Sequence, residues 1–80
     1  GKLNAALEIC EKENININEV AYIGDDVNCI ELLQAVGLAA CPANALSKVK
    51  AIKGIIHLEK KGGDGAVREF IDMIIEKNLV

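Results

Sequence analysis

Aromatic residues and proline are scarce in this chain of 80 residues, which contains one Tyr, one Phe, one Pro and no Trp. Because 51% of the residues are hydrophobic, the core must be built from Ile, Leu, Val and Ala side chains. No apolar run approaches the roughly 18 residues that a membrane span needs, and no signal peptide is visible. We therefore expect no membrane partner.

Basic residues and the usual zinc ligands are also few. The net charge is −3 and no basic stripe is present, which argues against nucleic acid as a partner. The chain has one His, and Cys10, Cys29 and Cys41 form no C-x-x-C pair, so no zinc site is expected. An odd number of cysteines is typical of a reducing compartment. The sequence therefore predicts a cytoplasmic protein.

Short apolar runs alternate with amphipathic segments along the chain. Strands are predicted at 20–23, 38–41 and 55–58, and helices at 2–14, 27–36, 47–53 and after residue 64. Helices that alternate with buried strands predict an α/β fold with a parallel sheet. Three strands are fewer than the roughly five or six of an average sheet, and the first residues already have a helical pattern. We therefore expect further polypeptide upstream that belongs to the same domain.

Residues with known capping preferences mark the ends of these helices. Gly37 is the expected stop of the second helix, Ser47 the expected N-cap of the third and Asp64 that of the fourth. The spacing of apolar residues predicts the buried faces. These are formed in the second helix by Val27, Ile30, Leu33 and the flanking Leu32, and in the fourth by Val67, Phe70, Ile71 and Ile74.

Two adjacent carboxylates, Asp25 and Asp26, follow the first predicted strand directly after Gly24. Ligands of open parallel sheets bind at the carboxyl ends of the strands, so this position presents acidic oxygens at an open edge. Adjacent unpaired carboxylates repel each other, and a hard cation such as Mg²⁺ would relieve that repulsion. The alternative is a turn in which the same residues provide backbone flexibility and a helix cap.

Three blocks of the sequence resemble the C-terminal half of a haloacid-dehalogenase-type phosphatase. They are Lys2-Leu3 at the start of a helix, Tyr22-Ile23-Gly24-Asp25-Asp26-Val27-Asn28, and Gly62-Gly63-Asp64-Gly65-Ala66-Val67-Arg68-Glu69-Phe70. The resemblance is strongest to the cap-less phosphatases of KDO-8-phosphate, KDN-9-phosphate and sialic-acid-9-phosphate, a module that also occurs with acylneuraminate cytidylyltransferases. It implies a three-layer α/β/α Rossmann-like fold, here with about three strands and about four helices. Residues 1–80 would form the C-terminal part of one such domain.

The resemblance also implies roles for individual residues. Lys2 would be a catalytic residue that steadies the attacking group and the transferring phosphoryl group, with an ordinary solvated lysine as the alternative. Asp25 would bind Mg²⁺ directly, and Asp26 would act through a water molecule or by orienting its neighbours. Asn28 would support this network, with helix capping as the alternative.

The glycine-rich block would contact substrate. In the family this segment reaches the active site of a neighbouring subunit in a homotetramer, so the resemblance implies that Gly63, Gly65 and Arg68 bind a sugar phosphate there. Glycine permits close backbone approach and positive φ, and arginine recognises carboxylate or phosphate groups. The alternative is a plain loop followed by a helix, in which Arg68 pairs with Asp64 or Asp72.

The chain departs from the family pattern in two respects. Cys29 and Asn44 stand where many relatives have Asp, and a neutral thiol is a poor partner for Mg²⁺. No Asp-x-Asp occurs in the sequence, so the attacking aspartate of the family and its acid–base partner are absent. The 80 residues alone should therefore be inert.

The resemblance thus implies a Mg²⁺-dependent phosphatase that hydrolyses a phosphorylated keto-sugar acid through an aspartyl-phosphate. This chain would supply only the metal-site and phosphate-lysine half. The alternative is a non-catalytic oligomerisation module of an acylneuraminate cytidylyltransferase. A response-regulator-like receiver fits poorly, because its lysine should follow the acidic pair rather than precede it.

Overall fold

Helices and short strands alternate along the chain in the computed structural model, which describes residues 1–79. Two 3₁₀ turns, Ile17–Glu19 and Val27–Cys29, precede the first strand and the second helix. Within residues 1–79, no helix is long and apolar enough to cross a membrane. The elements are α1 (Lys2–Glu13), β1 (Ala21–Ile23), α2 (Ile30–Ala35), β2 (Leu38–Cys41), α3 (Ser47–Lys50), β3 (Ile56–His57) and α4 (Ala66–Lys77).

The three strands form one parallel sheet in the order β1-β2-β3. Ala21 lies beside Leu38 in the pairing of β1 with β2, and Ala40 lies beside Ile56 in the pairing of β2 with β3. Successive side chains of a strand point to opposite faces of a sheet, so Ala40 and Cys41 belong to different apolar clusters. Both faces of the sheet can therefore carry a layer of helices.

A separate apolar cluster covers each face of the sheet. The cluster on the side of α2 and α3 contains the buried residues Cys29, Leu33, Cys41, Ala45, Val49 and Ile55. The cluster on the side of α4 contains Ala40, Leu58, Ala66 and Phe70. The predicted α/β/α arrangement is thus confirmed, and its core is aliphatic apart from one Phe.

The ends of α1 and α2 agree with the capping signals in the sequence. α1 ends at Asn14, which adopts the left-handed conformation at φ 56°, where Asn is tolerated. Gly37 follows the C-cap of α2, and its N–H donates to the carbonyl oxygen of Val20 at 3.1 Å. A Cβ on Gly37 would lie 1.8 Å from the carbonyl oxygen of Asn18. Glycine is required here because two backbone segments approach each other closely.

The predicted second helix is shorter than expected and starts differently. The segment begins as the 3₁₀ turn Val27–Cys29 and becomes α-helical only at Ile30. Leu33 is buried as predicted, but Val27 is 47% exposed. The prediction for Val27 is wrong because a 3₁₀ turn places side chains at a different angular spacing from an α-helix.

The predicted N-cap of α3 is also wrong. Ser47 is the first helical residue, and Leu46 occupies the N-cap position without a side-chain hydrogen bond. The backbone N–H of Leu46 donates to the carbonyl oxygen of Asp25 at 3.1 Å, which fixes the point at which the chain enters the helix. The helix then ends at Lys50 rather than at Lys53.

The predicted start and buried face of α4 need correction as well. Gly65, with φ 99°, is the N-cap residue, and no side chain caps this helix. The Asp64 N–H belongs to a turn in which it donates to a carbonyl oxygen three residues earlier. Val67 and Ile71 are 56% and 46% exposed, so the predicted face is wrong at these two positions. The carboxylate of Glu69 in the same helix accepts hydrogen bonds from the backbone of the loop after β3. The residues that α4 packs against the sheet are Ala66, Phe70, Met73 and Ile74.

Gly37→Ala should destabilise the fold, because its new Cβ cannot fit 1.8 Å from the carbonyl oxygen of Asn18. We expect the free energy of unfolding to fall by about 1–3 kcal/mol, as for other overpacked sites. Urea denaturation measures this change. Gly62→Ala is the matched control, since the atoms nearest to a Cβ there lie at 3.5 Å or more and we expect less than about 0.5 kcal/mol. Equal stabilities of the two variants would contradict the close approach at Gly37.

Candidate active site

The loops that follow the three strands meet at the carboxyl edge of the sheet. The loop after β1 is tied to the loop after β2, because the carbonyl oxygen of Asp25 accepts the Leu46 N–H at 3.1 Å. The loop after β2 is tied to the loop after β3, because the Oδ1 atom of Asn44 accepts the Gly62 N–H at 2.8 Å. These hydrogen bonds bring residues far apart in sequence to one surface. In an open parallel sheet, this is the edge at which ligands bind.

The carboxylate of Asp25 lies at this junction. Its Oδ2 atom is 3.8 Å from the point that a Cβ would occupy on Gly62. Within residues 1–79, the side chain of Asp25 makes no hydrogen bond and no ion pair, so both of its oxygens are available to a ligand. Asp25 faces a cavity of about 170 Å³, whose other lining residues are Ile23, Gly24, Pro42, Gly62, Ala66 and Val67.

Asp26 is exposed and has a structural task of its own. Its Oδ1 atom accepts the Val27 N–H at 2.6 Å and caps the 3₁₀ turn Val27–Cys29. The capping alternative is therefore confirmed for Asp26, and its Oδ2 atom is not engaged. The one ion pair among the described residues lies elsewhere, between Arg68 and Asp72.

The donor set at this edge fits Mg²⁺. Mg²⁺ is commonly bound by one or two carboxylates together with waters and substrate phosphate oxygens, and Asp25 and Asp26 offer such carboxylates. Among residues 1–79, no group of three or more His, Cys, Asp or Glu side chains lies close enough to hold a metal ion by itself. The remaining ligands would have to come from water, from substrate or from other polypeptide.

Lys2 lies in the first turn of α1 and reaches the turn that follows β1. Its Nζ donates to the Sγ atom of Cys29 at 3.3 Å, and the Tyr22 hydroxyl donates to the same sulfur at 3.6 Å. The hydrogen bond to Cys29 raises the pKa of Lys2, with smaller contributions from nearby charges that include Asp26. Burial raises the pKa of the Cys29 thiol, but hydrogen bonds from the Asp26 backbone, Tyr22 and Lys2 outweigh burial, so that pKa lies below its ordinary value. This part of the site is therefore arranged around a positively charged ammonium group.

Asn28 lies within the 3₁₀ turn and is exposed. It faces a cavity of about 440 Å³, which it shares with Lys2. Asp26 is the N-cap of this turn and Cys29 that of α2, so the capping alternative for Asn28 is wrong. Its supporting role near the metal stays a prediction.

The glycine-rich block lies beside Asp25 of the same chain. Gly63 and Gly65 have φ values of 79° and 99°, which confirms that these positions use the conformational freedom of glycine. The Nε atom of Arg68 donates to both carboxylate oxygens of Asp72, at 3.0 and 3.3 Å. This is one of the pairings considered as an alternative from the sequence, and the contact of Arg68 with substrate stays a prediction.

Glu69 and Asn44 position this block, and the sequence reasoning missed both. The Glu69 carboxylate accepts the N–H groups of Glu59 and Lys60 at 2.9 and 2.8 Å. These two hydrogen bonds lower the pKa of Glu69. Glu69 belongs to the third matching block, but no local pattern indicates that a helical carboxylate binds the backbone ten residues earlier.

Comparison with known proteins agrees with this geometry. The sequence profile of the haloacid dehalogenase-like hydrolases matches residues 1–71. The chain belongs to this family. It is 39% identical over 71 residues to phosphoglycolate phosphatase of Methanopyrus kandleri, across 89% of this chain and 30% of that protein. It is 28% identical over 68 residues to N-acylneuraminate cytidylyltransferase B of Danio rerio, across 85% of this chain and 16% of that protein.

Solved structures of the family have the same fold. The cobalt-bound form of deoxy-D-mannose-octulosonate 8-phosphate phosphatase from Haemophilus influenzae superposes with a TM-score of 0.86 at 32% identity. The superposition covers 94% of this chain and 43% of that chain. The present chain thus spans less than half of the length of these relatives.

The hydrogen bonds to Glu69 make the loop after β3 sensitive to pH. Because the pKa of Glu69 is lowered in the folded state, its stabilisation is fully present above the ordinary glutamate pKa of about 4.3. It is lost as the pH falls through the lower folded-state value. We expect the amide chemical shifts of Glu59 and Lys60 to follow this titration, measured by NMR from neutral pH downwards.

Glu69→Gln should abolish that titration at Glu59 and Lys60, because the amide side chain does not ionise and offers one oxygen acceptor. Glu76→Gln is the matched control on the same helix and should leave it unchanged. Amide shifts of Glu59 and Lys60 that do not respond to acid in the unmodified chain would contradict the role of Glu69.

Proposed function

We propose that this chain is the metal-site and phosphate-lysine part of a Mg²⁺-dependent phosphatase for phosphorylated keto-sugar acids, of the KDO-8-phosphate or nonulosonate-9-phosphate type. The observation that carries this proposal is the exposed carboxylate of Asp25, which faces the loop of Gly62 and has no partner within residues 1–79. Family membership supports the reaction class. In this proposal residues 1–80 are the C-terminal part of one domain.

Lys2 and the two aspartates have distinct tasks in this reaction. Lys2 provides a fixed positive charge for the phosphoryl oxygens, whose charge a positioned cation stabilises in the transition state. Asp25 binds the metal directly, while Asp26, with one oxygen engaged at Val27, acts through water or orients its neighbours. Bound Mg²⁺ supplies Lewis-acid chemistry at a phosphoryl oxygen.

The attacking group comes from other polypeptide in this proposal, because the sequence contains no Asp-x-Asp. An aspartate carboxylate there would form a bond to phosphorus while the ester oxygen leaves with a proton, and water would then hydrolyse the aspartyl-phosphate. The sheet supports an attacking group from other polypeptide, because among the described residues β1 pairs only with β2 and its other edge can accept a further strand. A parallel strand on the other edge of β1 would end beside Asp25.

The proposed substrate class is supported by a chemistry that two relatives share. Phosphoglycolate and octulosonate 8-phosphate are both phosphate monoesters of carboxylic acids. A substrate carboxylate requires a further cation, and Arg68 would serve by exchanging Asp72 for substrate. Gly63 and Gly65 would let the loop approach the sugar phosphate, in the same chain or in a neighbouring subunit of a homotetramer.

A second candidate function is supported by the outer surface of α4. Val67, Ile71 and Ile75 recur every four residues and are 56%, 46% and 71% exposed. An apolar row of this kind is typical of a helix that packs against other polypeptide. The chain would then be a non-catalytic oligomerisation module, as in the alternative drawn from the cytidylyltransferases, and it would not need to bind metal.

Metal binding distinguishes these candidates. Millimolar Mg²⁺ should shift the amide signals of Asp25 and Gly62 in an NMR titration of the 80-residue chain. Asp25→Asn should abolish the response, and Asp26→Asn should weaken it, because Asn keeps the capping acceptor but loses the charge. Asp72→Asn is the matched control. A chain whose Asp25 and Gly62 signals ignore Mg²⁺ would contradict the metal site and favour the oligomerisation module.

Activity requires the missing half. The 80-residue chain should release no phosphate, whereas a fusion in which it replaces the matching segment of the Haemophilus influenzae phosphatase should hydrolyse KDO-8-phosphate when Mg²⁺ is present. Asp25→Asn should lower kcat of the fusion by about 100-fold or more, and Glu76→Gln should not.

Two outcomes would contradict the proposal. A folded fusion that is inactive towards both KDO-8-phosphate and 2-phosphoglycolate would exclude the phosphatase function. A fusion that prefers 2-phosphoglycolate would retain the reaction class and exclude the proposed substrate class.

A further inference from the structure

The sulfur of Cys29 joins three separate segments of the chain. It accepts hydrogen bonds from the Nζ atom of Lys2 at 3.3 Å and from the hydroxyl of Tyr22 at 3.6 Å. Lys2 belongs to α1 and Tyr22 to β1, whereas Cys29 ends the 3₁₀ turn that follows β1. The ammonium group of Lys2 is therefore held through a residue 27 positions away in the sequence.

The position of this sulfur is fixed by packing. Cys29 is 3% exposed and lies in the cluster that contains Leu33 and Cys41. A Cβ on Gly24 would lie 2.7 Å from the Cβ atom and 3.0 Å from the Sγ atom of Cys29. The absence of a side chain at Gly24 thus makes room for Cys29 beside the end of β1.

Lys2 has no alternative anchor among the described residues. It forms no ion pair with a carboxylate there, and its only side-chain hydrogen bond goes to Cys29. Lysine is a flexible side chain with a strongly hydrated charge, so its ammonium group would otherwise sample many positions. An anchor that is not a carboxylate also leaves Asp25 and Asp26 without a competing lysine.

We infer that Cys29 is a positioning residue for Lys2, which holds its ammonium group at the carboxyl edge of the sheet through the sulfur. The functional part of this inference rests on the proposed role of Lys2 towards a phosphoryl group. Cys29 itself touches no substrate. The hydrogen bond to Cys29 restricts the Lys2 side chain, so that its ammonium group points in one defined direction.

The test observes Lys2 directly in the 80-residue chain. Lysine is labelled with ¹³C at Cε, and the NMR signal of Lys2 is identified by its loss in Lys2→Arg. We expect this signal to differ from those of lysines without a side-chain hydrogen bond within residues 1–79, such as Lys12 and Lys77, because Lys2 donates to Cys29. In Cys29→Ala, the Lys2 signal should move to the chemical shift of Lys12 and Lys77. Cys29→Ser keeps a hydrogen-bond acceptor, so the Lys2 signal should retain at least half of its chemical-shift difference from those lysines.

Cys10→Ala is the matched control, because it also removes a buried sulfur but leaves the hydrogen bond between Lys2 and Cys29 in place. Amide signals of Leu33 and Cys41 report whether each variant keeps its core. Inorganic phosphate, used as the probe, should shift the Lys2 signal, with about tenfold weaker binding in Cys29→Ala. A Lys2 signal that coincides with the exposed lysines, or that ignores Cys29→Ala in a folded chain, would overturn the inference.

Kinetics of the fusion with the Haemophilus influenzae phosphatase segment separate this inference from the proposed function. Cys29→Ala should lower kcat about 10- to 100-fold with little change in KM, and Cys29→Ser should recover most of the loss. A full loss that Cys29→Ser does not rescue would overturn the positioning role. If the unmodified fusion is inactive, the proposed function is contradicted. The NMR signal of Lys2 in the 80-residue chain still tests whether Cys29 positions Lys2.

Discussion

Hydrogen bonds between the loops after the strands determine the geometry of the candidate site. The bond from Leu46 to the Asp25 carbonyl oxygen and the bond from Gly62 to Asn44 join the three loops in sequence order. A parallel sheet alone brings the strand ends to one edge, but it leaves the loops free to diverge. These two hydrogen bonds keep the glycine-rich block next to the carboxylate of Asp25. The hydrogen bonds that the Glu69 carboxylate accepts from Glu59 and Lys60 also hold this block in place.

Charge is distributed unevenly over this edge. The two carboxylates of Asp25 and Asp26 are exposed and make no ion pair within residues 1–79, whereas Lys2 is satisfied by sulfur. A lysine that paired with Asp25 would compete with a cation for the same oxygens. Lys2 thus lies near Asp26 without forming an ion pair with it.

Local patterns in the sequence predicted the fold well, and contacts between distant segments account for the errors. β2 was predicted with its observed bounds, Leu38–Cys41, because an apolar run closed by Pro needs no further information. In α4, the prediction was confirmed for Phe70 and Ile74 and wrong for Val67 and Ile71. The predicted N-cap of α3 was wrong because the entry of the chain into this helix depends on a hydrogen bond to Asp25. Such contacts leave no trace in the spacing of apolar residues.

In the candidate site, too, local patterns could be predicted and contacts between distant segments could not. Asp25 and Asp26 could be found because a strand, a glycine and an acid follow one another directly. The positive φ of Gly63 and Gly65 followed from residue type alone. The contact between Lys2 and Cys29 could not be predicted, since it joins residues 27 positions apart. The role of Asn44 at the Gly62 N–H was hidden for the same reason.

The unpaired edge of β1 has a consequence for how the chain behaves by itself. Unpaired strand edges are templates for association with other chains, and among the described residues β1 pairs only with β2. Two copies related by a two-fold axis would join antiparallel at β1 and form one continuous sheet of twice the width. Self-association would then compete with any strand of other polypeptide for the same backbone groups. Because pairing between copies is bimolecular, dilution would weaken it.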